Sequence, residues 1–71
     1  SQVVEAPTPG NILRLEVKVG DQVSENQTLL VMEAMKMESE VKSPAAGKIS
    51  ELNVSTGDTV RAGEPLLTIS N

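Results

Sequence analysis

An internal repeat limits the folds available to this chain more than any other feature. Residues 4–34 align without a gap with residues 41–71, an offset of 37 residues (41 − 4). The matching positions are apolar residues and turn-forming residues, the two classes that specify a backbone. The chain therefore consists of two copies of one supersecondary unit. The identical pairs are Val4/Val41, Pro7/Pro44, Gly10/Gly47, Ile12/Ile49, Leu15/Leu52, Val17/Val54, Gly20/Gly57, Asp21/Asp58, Val23/Val60, Leu29/Leu66 and Leu30/Leu67.

Each copy has the sequence pattern of β-structure. Apolar residues alternate along segments such as Leu13, Leu15, Val17 and Val19. Alternation with a period of two is typical of strands, and no stretch has the sustained 3.6-residue period and end signals of a helix. We predict little or no helix, and strands at residues 3–6, 11–18, 22–24, 28–34, 37–43, 48–55, 59–61 and 66–70.

Turn signals separate the predicted strands. Gly20-Asp21 and Gly57-Asp58 mark the same turn in the two copies. Gly63 corresponds to Asn26 in the repeat. Because Asn is the non-glycine residue that best tolerates positive φ, we expect one turn geometry at both positions. The segment Thr8-Pro9-Gly10 suits a turn with Pro at its second position and Gly at its third.

These elements predict an all-β fold, a flattened antiparallel β-barrel or sandwich of two quasi-symmetric four-stranded units packed face to face. A chain of 71 residues is expected to form one domain, residues 1–71. Pro65 is expected to open the last strand, where its missing N–H does least harm. The predicted core consists of Ile12, Leu15, Val17, Val23, Leu30, Ile49, Leu52, Val54, Val60 and Leu67.

Composition argues against several classes of function. The chain has no Cys and no His, so we expect no disulfide, no metal site and no histidine base. It has no aromatic residue and a net charge of −4, which disfavours a nucleic-acid surface. No apolar run is long enough to span a membrane, and no signal-peptide pattern is seen, so a cytoplasmic location is expected. Without a visible acid–base or nucleophile–base pair, we predict no catalytic residue and no enzyme activity of the chain alone.

The segment between the two copies departs from the turn chemistry of the rest of the chain. Met35-Lys36-Met37 joins the last predicted strand of the first copy to the first strand of the second. A two-residue hairpin favours Asn-Gly, Asp-Gly or Gly-X, because both central residues of a type I′ turn need positive φ. This junction has Met-Lys instead, and such exceptions are often functional.

Spacing alone favours a plainer interpretation of the two methionines, in which both fill the core and Lys36 merely faces solvent. A strand that has just ended cannot bury both, however. At least one methionine is therefore expected near the surface, beside the lysine. A surface lysine with flexible apolar neighbours is a candidate attachment point, and its modification would need an activated acyl donor and a second enzyme.

The pentapeptide Glu33-Ala34-Met35-Lys36-Met37 resembles the biotinylation motif of biotin carboxyl carrier domains at every position. The segments "APTPG" and "KVGDQV" before it, and "SPAAGKI" and "GDTVRAGEPLL" after it, resemble the same family over nearly the entire chain. The resemblance implies a barrel-sandwich hybrid with two-fold pseudo-symmetry and a target lysine on a protruding hairpin. It also implies covalent biotin on Lys36, joined through an amide bond by a biotin protein ligase.

By the same resemblance, Met35 and Met37 help the ligase to select the lysine, and Glu33 and Ala34 complete the recognition pattern. Glu33 and Glu38 are equally well explained as solvated charges. In this family biotin carries CO₂ between a biotin carboxylase site and a carboxyltransferase or decarboxylase site. Those sites are the implied partners. No nucleic acid and no membrane insertion are expected, and the isolated domain is predicted to be monomeric.

Two details distinguish the chain within the family. The gapless offset leaves no room for the extra "thumb" insertion that some members carry. This resembles the carriers of transcarboxylases, sodium-pumping decarboxylases and multidomain carboxylases. Asn26 stands where many members have Gly, which is expected to affect only the turn.

Two alternatives remain open at the level of sequence. A lipoyl carrier domain of a 2-oxo acid dehydrogenase-type complex has a similar fold and a hairpin lysine, but usually flanks that lysine with Asp and Ala. An unmodified barrel-sandwich interaction module would need no special lysine, and the complete pentapeptide argues against it.

Overall fold

The computed structural model describes all 71 residues and consists of strands and turns without a helix. The prediction of an all-β fold is therefore confirmed, and Pro65 opens the last strand as expected. The structure therefore has no helix that could span a membrane. In chain order the strands are β1 (Gln2–Glu5), β2 (Gly10–Leu15), β3 (Gln22–Val23), β4 (Thr28–Ala34), β5 (Met37–Lys42), β6 (Gly47–Leu52), β7 (Thr59–Val60) and β8 (Pro65–Ser70).

The strands form two antiparallel four-stranded sheets with the orders β1-β8-β6-β3 and β5-β4-β2-β7. Exchanging β1 with β5, β2 with β6, β3 with β7 and β4 with β8 converts one order into the other, so the sequence repeat becomes a two-fold pseudo-symmetry. Each sheet takes two strands from each copy. The predicted four-stranded units packed face to face are confirmed, but each is a sheet shared by both copies and not one copy of the repeat. The physical reason is that β1 and β3 find their hydrogen-bond partners, β8 and β6, only in the other copy.

The longest predicted strands are shorter in the structure. β2 ends at Leu15 and β6 ends at Leu52, because the residues that follow enter a turn. In that turn the Lys18 N–H donates to Oδ2 of Asp21 at 3.0 Å, and the Asp21 N–H donates to the Lys18 carbonyl at 3.1 Å. Val19, which continues the apolar alternation in sequence, lies in this turn and is exposed.

The core lies between the two sheets and contains 15 buried apolar residues. Of the predicted core residues, Leu15 and Leu52 are only half-buried, because they are the last residues of β2 and β6. The other eight are buried. The prediction missed residues on the inner strands β4 and β8, where register shifts allow adjacent residues to be buried together, and further residues on β1, just after β1 and on β5. The missed core residues are Val4, Ala6, Leu29, Met32, Val41, Leu66 and Ile69.

Two turn predictions have different outcomes. Asn26 and Gly63 have positive φ values of 70° and 83°, and their N–H groups donate to the carbonyls of Ser43 and Ala6. The predicted common geometry is thus confirmed. Gly10 instead begins β2 and is absent from the residues with positive φ, so its predicted place in a turn is wrong. Gly10 is required because a Cβ atom there would overlap the Glu33 carbonyl oxygen.

Candidate functional site

The segment that joins the two copies forms the tip of the β4–β5 hairpin. Ala34 pairs with Met37, so the connection contains only Met35 and Lys36. Both residues have positive φ, 53° at Met35 and 66° at Lys36. Positive φ at both central residues of a two-residue connection is the signature of a type I′ turn. The tip is therefore built without the Gly, Asn or Asp residues that this turn normally uses.

This turn stores backbone strain. A non-glycine residue in the left-handed region costs on the order of 1–3 kcal/mol and persists only where the surrounding structure enforces it. Here the enforcement comes from the strand pairing on both sides, which runs from Ala34–Met37 back to Thr28–Lys42. Strained residues of this kind cluster at functional sites, so this turn is the candidate site.

The two methionines beside the lysine are both on the surface. Met35 is 92% exposed and Met37 is 69% exposed. Met32, on the same hairpin, is 1% exposed and belongs to the core. The interpretation that Met35 and Met37 fill the core is therefore wrong, and the expected exposure beside the lysine is confirmed.

Lys36 itself is exposed and takes part in none of the three ion pairs of the structure, which join Arg14 to Glu16, Lys18 to Asp21 and Lys42 to Glu40. Its amine is therefore free to reach away from the barrel. An exposed primary amine on a flexible stem, carried by a turn that the sheet holds in place, is suited to acylation once it loses its proton.

The base of the hairpin presents acidic side chains and a close backbone contact. Glu33 lies directly opposite Glu38, and both are exposed, so their like charges repel weakly across the strands. Ala34 is half-buried. A Cβ atom at Gly10 would lie 3.3 Å from Cβ of Ala34, so the glycine allows β2 to pack closely against the hairpin base.

The structure thus brings together all five residues that the sequence singled out. Glu33 and Ala34 end β4, Met35 and Lys36 form the turn, and Met37 begins β5. Sequence reasoning did not connect Gly10 with the hairpin. The only available signal was its match to Gly47, which also lies in a strand where a Cβ atom would come within 2.6 Å of the Ser70 carbonyl oxygen.

Comparison with known proteins places these features in a family. Residues 2–69 match the biotin/lipoyl family model described as "Biotin-requiring enzyme". A 41-residue segment is 56% identical to the biotin carboxyl carrier protein of Streptococcus mutans and covers 58% of this chain and 32% of that protein. The matched segment is thus about a third of that relative's length.

Two solved structures have the same architecture. Urea carboxylase of Kluyveromyces lactis aligns with a TM-score of 0.91 and 28% identity over 97% of this chain and 6% of that one. The lipoyl domain of the 2-oxoglutarate dehydrogenase complex of Azotobacter vinelandii aligns with a TM-score of 0.86 and 27% identity, over 100% of this chain and 98% of that one. The fold is therefore the barrel-sandwich hybrid common to biotinyl and lipoyl domains. Together with the family match over residues 2–69, these observations show that the chain belongs to the biotin/lipoyl family of biotin-requiring enzymes, as a carrier domain of the biotinyl type.

Proposed function

We propose that Lys36 is the residue to which biotin is covalently attached, and that residues 1–71 act as one carrier domain. The observation that carries this proposal is the geometry of the tip, an exposed, unpaired lysine between two exposed methionines on a strained two-residue turn. The family's use of biotin supports the choice of cofactor.

The chemistry of the tip suits an amide bond to biotin. The unprotonated amine of Lys36 would attack an activated biotin carboxyl group, and the activating group would leave with the electrons of the broken bond. The chain has no His or Cys to promote this step, so activation falls to a biotin protein ligase. When bound, biotin supplies the chemistry that carries CO₂, and the protein supplies the position.

The position is useful because strand pairing anchors the tip and the arm is long. The lysine stem together with the valeryl chain of biotin reaches about 14 Å, at roughly 1.5 Å per bond. A tether that joins two active sites turns the second encounter into an intramolecular one at high effective concentration. The paired strands on both sides of the type I′ turn hold the base of the tether, and the arm supplies the reach.

The neighbours of Lys36 have roles in selecting it. Met35 and Met37 offer two flexible apolar contacts to the ligase on either side of the amine. Ala34 keeps the hairpin base narrow, and Glu33 contributes a negative charge to the approach of the ligase. These contacts involve the turn itself, so the ligase recognises the folded hairpin.

The partners would be a biotin carboxylase together with a carboxyltransferase or decarboxylase, as domains or as subunits. The similarity to a segment that makes up 6% of a urea carboxylase supports a role within a carboxylase. The acceptor substrate depends on the protein that contains this domain. A cytoplasmic location and a monomeric state of the isolated domain remain predictions.

A lipoyl carrier is the second candidate, and one observation favours it. The lipoyl domain of Azotobacter vinelandii matches this structure over 100% of this chain and 98% of that one. The fold therefore suits either cofactor, and the residues beside the lysine must discriminate. Met35 and Met37 favour biotin, because lipoyl domains usually have Asp and Ala there.

Co-expression with a biotin protein ligase tests the proposal by intact-mass spectrometry. The domain is expected to gain the mass of one biotinyl group, and Lys36→Arg is expected to abolish the gain. Lys48→Arg is the matched control, because Lys48 is also exposed and without an ion pair but lies in β6. Biotin on a residue other than Lys36 would overturn the proposal, as would a domain that stays unmodified.

A further inference from the structure

We propose that Met35 and Met37 form a peroxide-sensitive modification site, and that their oxidation to sulfoxides controls whether Lys36 accepts its cofactor. The selective oxidation depends only on the structure. The effect on Lys36 rests on the proposed function. The class of reactant is a hydroperoxide, with hydrogen peroxide as the simplest member.

The composition leaves methionine as the only readily oxidised residue type. The chain has no Cys, His, Phe, Tyr or Trp, so the thioethers of its three methionines are the only readily oxidised side chains. A peroxide that meets this domain therefore has three possible targets.

The three methionines differ in their exposure to solvent. Met35 and Met37 are 92% and 69% exposed, whereas Met32 is 1% exposed within the core. Oxidation requires access to the sulfur atom, so Met32 reacts only when the barrel opens. The two reactive thioethers are the two neighbours of Lys36, and the unreactive one is four residues away on the same hairpin.

The oxidation of methionine needs no reactant other than the peroxide. A lone pair on the methionine sulfur attacks one peroxide oxygen, the O–O bond breaks and an S–O bond forms. The second oxygen leaves as water after taking up a proton, and the transferred oxygen loses its own proton. The sulfur is oxidised by two electrons and the peroxide is reduced by two. Thiol-dependent methionine sulfoxide reductases reverse the change.

The consequence is local because of where the side chains lie. A sulfoxide converts a flexible apolar side chain into a polar one, which is disruptive in a core but tolerated on a surface. The barrel is therefore expected to stay folded, while the apolar contacts beside Lys36 are lost. An enzyme that recognises the tip through those contacts would then modify Lys36 more slowly.

The first experiment treats the purified, unmodified domain with hydrogen peroxide and follows each methionine by peptide mass mapping. Met32 is expected to oxidise at least about tenfold more slowly than Met35 and Met37, since a core side chain reacts only through opening of the fold. Comparable rates at all three positions would overturn the proposed selectivity. The circular dichroism spectrum is expected to be unchanged while only Met35 and Met37 are oxidised.

The second experiment measures the rate of biotin transfer by a biotin protein ligase before and after oxidation, as a ratio within each variant. In the natural sequence oxidation is expected to lower kcat/KM roughly tenfold, the size of a lost apolar anchor in a recognition contact, and reductase treatment is expected to restore it. Met32→Leu is expected to give the same ratio. Met35→Leu with Met37→Leu is expected to give a ratio close to one.

The two parts of this test separate the two proposals. An unchanged ratio in the natural sequence, with both sulfoxides confirmed by mass, would overturn the control of Lys36 and leave the proposed function intact. If the untreated domain accepts no biotin, the proposed function is wrong, and the control of Lys36 by oxidation is overturned with it. The mapping experiment tests the selectivity in either case.

Discussion

The turns of the barrel and the tip of the β4–β5 hairpin use the same left-handed backbone with different residues. In the barrel the positions with positive φ are Gly20, Gly57, Gly63 and Asn26. Glycine and asparagine are the residues that accept this conformation at least cost. At the hairpin tip the same conformation is imposed on Met35 and Lys36.

The two kinds of turn also differ in what holds them. The N–H groups of Gly20 and Gly57 donate across the pseudo-symmetry to the carbonyls of Ile49 and Ile12, each at 2.8 Å. Side chains support the same turns, since Oδ2 of Asp58 accepts the Ser55 N–H at 2.9 Å. None of the hydrogen bonds that link turns to distant segments involves Met35 or Lys36.

The two kinds of turn therefore differ in what selects their residues. In the barrel the backbone geometry determines the residue, because the turn has to meet the other copy of the repeat. At the tip the same conformation is held by residues that tolerate it poorly, and the pairing of β4 with β5 sustains the strain. Substitutions at the two kinds of turn are therefore expected to change the unfolding free energy in opposite directions.

A substitution at a barrel turn is expected to destabilise the fold most. Gly57→Val places a β-branched residue at φ 94°, where the strain is expected to cost about 2 kcal/mol of unfolding free energy. That cost lowers Tm by about 10 °C in a domain of this size. No atom would contact the added Cβ, so the loss would come from the backbone alone.

Thermal unfolding followed by circular dichroism measures the loss. Thr56→Val is the matched control, because Thr56 is the exposed neighbour and has no positive φ. An equal Tm for Gly57→Val and Thr56→Val would contradict the backbone explanation.

A smaller effect of opposite sign is expected at the tip. Met35→Asn replaces a strained residue by one that tolerates positive φ, so the unfolding free energy is expected to rise by about 0.5–1 kcal/mol. The same change removes an apolar contact beside Lys36 and is expected to slow biotin transfer by the ligase.

Met37→Asn provides the control for this prediction, because Met37 lies in β5 without positive φ. It is expected to slow transfer without any gain in stability. Equal stability changes in the two variants, measured by urea unfolding, would show that the tip is not strained at Met35.

The smallest effect concerns pH. The Lys18 N–H that donates to the Asp21 carboxylate holds the pKa of Asp21 below its ordinary value of 3.8. A lowered pKa in the folded state means that the unfolded state binds the proton more readily. This contribution to stability is therefore present above the ordinary pKa and is lost as pH falls through the folded pKa.

Thermal unfolding across the acid range checks this prediction. Asp21→Asn is expected to make Tm less dependent on pH below about pH 4. Glu38→Gln, a change at the base of the hairpin, is expected to leave the loss of stability with acid in place. An unchanged acid dependence in Asp21→Asn would contradict the role of this carboxylate in the turn.

The repeat in the sequence predicted most of the fold because it fixed which positions are equivalent. The equivalence of Asn26 and Gly63 correctly predicted a common turn, since positive φ limits the residues that can occupy it. A repeat does not specify which strands pair, however, so the sharing of each sheet between the two copies was not predicted. The burial of Leu29 next to Leu30, and of Leu66 next to Leu67, also escaped prediction, since register shifts in the inner strands break the alternation.

The hairpin was predictable for a different reason. Met-Lys at a junction that needs positive φ contradicts turn chemistry, and the structure places that contradiction at an exposed tip. Gly10 could not be assigned correctly, because Pro-Gly signals a turn locally whereas the close approach of Glu33 is a tertiary contact. Local signals thus predicted local geometry, and the contacts between segments needed the structure.

The cofactor that Lys36 accepts when both are offered shows whether the hairpin tip is a biotinylation site. The unmodified domain is incubated with a biotin protein ligase and a lipoate protein ligase together, with both cofactors and ATP, and the product is read by intact-mass spectrometry and peptide mapping. One biotinyl group on Lys36 is expected. Met35→Asp with Met37→Ala is expected to keep the fold and to weaken biotinylation or shift the product toward lipoate. Lipoate on Lys36 of the natural sequence would show that the tip is a lipoylation site, and loss of folding in the double variant would show that the methionines are structural.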